Sequence, residues 1–181
     1  MKKKISYIYG ILLVAFLVGI DQITKYFART NLGDGTTFDI IKKVLRFNYV
    51  KNEGAAWGIM SGKQTLFIIL TSVMLIAIVY VYIKAPEDGT YTPLRITASI
   101  LAAGAIGNFI DRISKGYVDD FIDFHLINFP VFNFADICVC LSMFALVFLI
   151  IFKYKDSDFD FLKFKKNKDQ ESDSHKTTKK C

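Results

Sequence analysis

Apolar residues run almost unbroken through four stretches of this chain, and polar residues collect between them. The stretches are Ile5–Phe27, Gln64–Ile83, Leu94–Ile110 and Val131–Phe152. Each approaches the roughly 20 mostly apolar residues that cross a bilayer as a helix. The second contains no charge at all. The pattern predicts an all-α membrane protein of four transmembrane helices. Between the first two, residues 28–63 carry β-branched and aromatic runs, TTFDIIKKVLRFNYVKN, with Gly33 and Gly35 to supply turns. That predicts a small extracytoplasmic β-like cradle, a sheet or hairpin. A short polar loop, APEDGTYTP, separates the second and third helices, and residues 114–130 form a second outer segment. Residues 1–154 then make one membrane domain, and residues 155–181 a basic, disordered cytoplasmic tail.

Charge fixes the expected orientation. Lys2, Lys3 and Lys4 open the chain, and eight lysines fall in the tail. Four spans return the C-terminus to the side of the N-terminus, so both ends read as cytoplasmic. Six basic residues in the segment 28–63 run against the rule locally. The pI of about 9.1 follows from the basic ends; no nucleic-acid-reading motif is present, and no nucleic-acid partner is expected. The first apolar run reads as a retained span, because DQITK follows it in place of a small-residue cleavage site. Cys138 and Cys140, two apart on a helix, cannot bridge each other and read as small buried hydrophobes. With two histidines in the chain, no histidine-rich metal site is expected.

The chemistry lies in acids placed where apolar residues belong. A carboxylate at membrane depth faces a protein interior or a wet cavity and marks function. Asp21 closes the uncharged run Ile5–Ile20, and Lys25 stands four residues on, on the same helix face; the two read as a neutralising pair. Asp111 and Arg112 are adjacent, so on a helix their side chains diverge and each needs a partner elsewhere. Arg112 is suited to a carboxylate or a substrate carbonyl. Asp136, in FNFADICVC, has no basic residue within a turn. A desolvated carboxylate with a second acid beside it shares one proton with it. One member then activates water while the other polarises a carbonyl. The partner comes from VDDFID, and spacing does not choose among Asp119, Asp120 and Asp123; exposed loop acids remain the plain reading for two of the three. Ala98, Ala102, Ala103, Gly104, Ala105 and Gly107 let the third helix approach its neighbours closely, and Gly107 beside Asn108 also suits a close approach to substrate.

Five ordered blocks resemble those of the lipoprotein signal peptidase (signal peptidase II) family of bacterial membrane aspartic peptidases: DQITK, NEGAAWG (Asn52 to Gly58), AGAIGNFIDR, GYVDDFIDF and FPVFNFAD. The resemblance spans about Ile5–Phe152. It implies Asp120 and Asp136 as the catalytic acids, and Asn52, Gly54, Asn108, Asp111, Arg112, Asn133 and Ala135 as lining or supporting residues. Asp21 and Lys25 are implied as a structural pair of the first helix. It implies a substrate too: a prolipoprotein with a diacylglyceryl-modified cysteine, cut on the amino side of that cysteine near the outer face of the cell membrane. No metal or organic cofactor is implied, and a monomer amid membrane lipid is expected. Asp119 stands where the family carries an apolar residue, and the lysine-rich tail exceeds the family core. Two rivals are a small ion-coupled transporter, against which the lack of an internal repeat speaks, and a non-catalytic scaffold.

Overall fold

The computed structural model describes residues 2–54 and 62–162. Four long helices carry the chain: α1 (Lys2–Leu32), α2 (Gln64–Lys84), α3 (Thr92–Lys115) and α4 (Phe134–Phe152). All four are long and apolar enough to cross a membrane. Three strands, β1 (Thr37–Ile41), β2 (Leu45–Asn52) and β3 (Val118–Asp123), form one antiparallel sheet in the order β1-β2-β3. The protein is mostly helical with a small sheet, as its pattern predicts.

The helix α3 is the centre of the bundle. Its apolar window is 61% buried, against 6% for α1 and α2 and 17% for α4. Its small residues explain why. A Cβ on Gly104 would stand 2.5 Å from Ala135 O, and one on Gly107 would stand 2.5 Å from Asp21 Oδ2. These two glycines set the approach of α3 to α4 and α1, so Gly107 serves helix contact. The outer faces stay apolar: Ile69, Val73 and Ile76 of α2 and Phe144 and Phe148 of α4 are exposed. That is the surface lipid requires, since hydrocarbon outside a helix favours apolar side chains.

The sequence boundaries shift where local capping intervenes. The helix α3 runs to Lys115 and stops at Gly116, whose φ of 80° is left-handed and whose N–H bonds Arg112 O at 3.1 Å. Asp111 and Arg112 therefore sit on a helix with diverging side chains, as their adjacency requires. The helix α4 starts at Phe134 because Asn133 caps it: its side chain accepts from Asp136 N at 3.0 Å, and Asp136 Oδ2 accepts from Asn133 N at 3.1 Å. The hairpin expected within 28–63 is β1–β2. The strand β3, which lies in the segment read only as an outer loop, is the addition. It pairs with β2 through Val50↔Asp120 and Lys51↔Asp119. Phe132 O in turn accepts from Phe121 N at 3.0 Å and Ile122 N at 2.8 Å, which ties β3 to the approach of α4.

At the other end, Tyr91, Leu94, Ala85 and Tyr154 form a small core. Asp156–Leu162, within the stretch read as tail, makes a 3-10 segment, and Tyr91 donates to Asp158 O at 2.7 Å. The lysine-rich remainder, residues 163–181, lies outside the described residues, as do Ala55–Gly58 of the NEGAAWG block.

Candidate active site

Four elements meet at one end of the bundle: the C-terminal halves of α1 and α3, the sheet, and the start of α4. Strand alternation turns Asp119 and Asp120 to opposite faces. Asp120 faces α4 and is 2% exposed. It accepts from Asn52 Nδ2 at 2.8 Å and Asn133 Nδ2 at 2.6 Å. Asn52 is itself fixed by Gly54 N, which donates to its Oδ1 at 2.9 Å. Asp136 accepts from Asn108 Nδ2 at 2.7 Å. Asn133 joins the two acids: it donates to Asp120, shares its capping box with Asp136, and also reaches Asn108 Oδ1 at 3.1 Å. Burial first, and the neighbouring Asp136 charge second, push the Asp120 carboxyl up to about 7 against the Asn52 and Asn133 hydrogen bonds.

Beneath this pair lies a buried charge cluster. Lys25, 1% exposed, meets Asp21 Oδ2 at 2.9 Å, Asp111 Oδ2 at 3.0 Å and Asn108 Oδ1 at 2.9 Å. The expected Asp21–Lys25 pair is thus present and larger than expected. Asp21 Oδ1 also accepts from Ala135 N at 2.9 Å, so Ala135 takes part through its backbone. Lys25 fixes the Asn108 carbonyl oxygen, which leaves the Asn108 amide nitrogen for Asp136. Bonds from one buried cation therefore reach one of the two acids through a single asparagine.

The reading of two acids of β3 as exposed loop residues is wrong. Asp119 and Asp123 are 0% and 5% exposed. Asp119 accepts from Lys115 Nζ at 2.6 Å, Tyr49 Oη at 2.7 Å and Arg29 Nη1 at 3.2 Å. Asp123 accepts from Arg46 Nε at 2.7 Å and Asn48 Nδ2 at 3.2 Å. Each found a cation in a distant segment, which no local pattern shows. Lys115 carried a signal that went unused, since it lies four residues from both Asp111 and Asp119; it bridges them, at 2.7 Å from Asp111 Oδ1. Tyr49 had none. Its hydroxyl is held protonated by burial first and the Asp119 carboxylate second.

Arg112 forms no ion pair within 4 Å among the described residues, but it lies within electrostatic range of Asp136, Asp120 and Asp111. Its guanidinium stands 5.0 Å from the Phe67 ring centroid, and its Nε is buried without a partner. Of the two cysteines expected to be buried, Cys138 is and Cys140 is exposed, on a helix face that apolar side chains share.

A model of the signal peptidase (SPase) II family matches residues 13–152. Lipoprotein signal peptidases of Staphylococcus aureus strains JH9 and Newman are each 42% identical over 149 residues, which is 81% of this chain and 90% of theirs. Two solved structures, both described as a bacterial membrane enzyme, share the fold at 40% identity. One, at 2.3 Å resolution, superposes with a TM-score of 0.73 over 79% of this chain and 87% of its own. The other, at 1.9 Å, gives 0.72 over 81% and 94%. With a family model covering most of its length and close relatives along nearly all of theirs, the chain belongs to the signal peptidase II family.

Proposed function

We propose that this peptidase is a membrane-embedded aspartic endopeptidase that removes signal peptides from diacylglyceryl-modified prolipoproteins, cutting before the lipidated cysteine. The observation that carries the reading is the bridge of Asn133 between Asp120 and Asp136. It holds Asp120, buried and of raised proton affinity, together with Asp136 in one hydrogen-bonded unit, the arrangement acid–base hydrolysis requires. The ionised member takes a proton from water while the water oxygen adds to the scissile carbonyl carbon. The protonated member hydrogen-bonds the carbonyl oxygen and stabilises the charge that develops there. Collapse of the tetrahedral adduct breaks the C–N bond, and the acid that took the water proton delivers it to the leaving amine. The partnerless Nε–H of Arg112 suits a substrate carbonyl, and Asn52 beside Asp120 suits the substrate backbone.

Orientation belongs to the same proposal. Both termini face the cytoplasm, and the sheet and acids lie near the outer face. The basic ends and the even number of helices support this, as does the position of the acids at the end of the bundle far from Lys2. The acyl groups then act by position: they hold the cysteine at the depth of Asp120 and Asp136, which makes the cleavage step effectively intramolecular. The test is cleavage in liposomes of lipidated and unlipidated forms of one membrane-anchored substrate at equal density, with products mapped by mass spectrometry. The lipidated form is cut before its cysteine and the unlipidated form poorly. Equal cleavage of both would remove the lipid requirement.

A further inference from the structure

The end of the bundle remote from the acids holds a second buried cation. Arg95 lies in the first turn of α3 and is 6% exposed. Asn108 lies thirteen positions further along that helix, a distance of about 20 Å at 1.5 Å per residue. Its partners are all neutral. Nη1 donates to Ser6 Oγ at 2.9 Å, and Nη2 donates to Ala85 O at 2.7 Å and Pro86 O at 3.4 Å. The two carbonyls lie at the C-cap of α2 and one residue beyond it, near the end where the helix carries partial negative charge. The Tyr82 and Tyr7 rings lie 5.6 and 6.0 Å from the guanidinium carbon. Among the described residues no carboxylate forms an ion pair with Arg95. Its Nε is buried with no hydrogen-bond partner. Lys25 shows the contrast: equally buried, it meets two carboxylates.

A full charge held on neutral groups inside an apolar bundle is costly unless an anion joins it. Beside Arg95 a cavity of about 440 Å³ lies between α1, the end of α2 and α3. Its lining has two characters: Arg95, Ser6 and Ser99 are polar, whereas Tyr9, Leu13 and Ile96 form an apolar wall. We propose that this cavity binds an anionic phospholipid, with its phosphate on the Arg95 guanidinium and the Ser6 hydroxyl and an acyl chain along the apolar wall. Guanidinium offers phosphate a planar, multidentate fork, and basic pockets between membrane helices suit anionic headgroups. The apolar wall favours a lipid over free phosphate, which would leave it uncovered. The site lies in the leaflet opposite Asp120 and Asp136 and is separate from the cleavage chemistry.

Native mass spectrometry tests this on the full chain released from nanodiscs holding equal phosphatidylglycerol and phosphatidylcholine. Wild type should retain phosphatidylglycerol about fivefold over phosphatidylcholine, on the scale of one arginine at an anionic headgroup. Arg95→Gln should lose that preference and Arg95→Lys should keep part of it. Because Arg95 also bonds the C-cap carbonyl of α2, the melting temperature of Arg95→Gln is measured alongside, and Ile96→Trp is the second variant. Ile96 is 49% exposed on the cavity wall, so Trp there fills the cavity with Arg95 intact and should also abolish retention. Equal retention by wild type and a folded Arg95→Gln, or full retention by Ile96→Trp, would overturn the proposal. Displacement of the lipid by millimolar inorganic phosphate would assign the site to free phosphate and overturn the lipid.

Discussion

Replacing Asp120 by Asn should make the protein more stable at alkaline pH while it destroys activity. The Asp120 carboxyl rises from 3.8 to about 7 through burial and the nearby Asp136. That rise corresponds to about 4 kcal/mol against the ionised form in the folded state. The sign follows from proton counts. Between about pH 4 and 7 the folded protein holds a proton on Asp120 that the unfolded chain has released, so stability falls as pH rises through this window. Above 7 the folded state carries the buried charge in full. An asparagine cannot ionise and escapes this cost. It brings its own: its amide nitrogen meets the Asn52 or Asn133 donor, at about 1–3 kcal/mol for the lost bond. The difference leaves Asp120→Asn about 1–3 kcal/mol more stable than wild type at pH 8, an advantage that shrinks by about 2.5 kcal/mol by pH 5. Thermal unfolding in one detergent, followed by intrinsic fluorescence from pH 5 to 8, measures both. The wild-type midpoint should fall across the range and the variant midpoint should fall less, so that the gap between them changes in the variant's favour as pH rises. Parallel curves, or a flat wild-type profile, would refute the argument that Asp120 is a buried acid of raised proton affinity.

Other outcomes follow from the same geometry. Lys25→Met leaves Asp21 and Asp111 buried without their shared cation and should cost about 3–5 kcal/mol, read as a lower melting midpoint; a wild-type midpoint would remove Lys25 from the fold's support. Asn133→Ala removes the bridge between the acids and should lower kcat by at least about tenfold at an unchanged expression level, since positioning of acid and base is lost; a wild-type kcat in the cleavage assay would count against the bridge. In a background with Cys138, Cys140 and Cys181 replaced by Ala, Ile40→Cys should label from outside intact cells and Asp160→Cys only after permeabilisation, and labelling of both from outside would reverse the topology.

The legible parts of the fold were those whose cause is local. Long apolar runs gave the helices, and the β-branched run in 37–52 gave the hairpin. The strand β3 was hidden because aspartate is a poor strand former and VDDFID has no apolar alternation; what keeps Asp119 and Asp123 inside is a set of cations on α1, β2 and α3. Asp21 with Lys25 was visible at four-residue spacing, whereas Asp111 and Asn108 join Lys25 from more than 80 residues away. Spacing could not choose among Asp119, Asp120 and Asp123. The resemblance named Asp120, and the strand geometry gives the physical reason: Asp119 faces Lys115, Tyr49 and Arg29, while Asp120 faces Asn133 and α4. The ends of α3 and α4 shifted where Gly116 and Asn133 impose caps, and α1 runs past its apolar stretch at both ends, from Lys2 to Leu32.

Single-turnover cleavage of a lipidated substrate by Asp120→Asn and Asp136→Asn, set beside Asp119→Asn and Asp123→Asn, tests the two-acid mechanism most directly. Each of the first two should lose about 10²–10⁴-fold or more in rate, the contribution of a positioned acid or base, with helical content and membrane insertion unchanged. Asp119→Asn and Asp123→Asn, whose side chains face cations away from the pair, should retain most of the rate, and a metal chelator should leave wild type unaffected. Substantial cleavage by Asp120→Asn or Asp136→Asn, or an inactive but folded Asp119→Asn beside an active Asp120→Asn, would contradict the assignment.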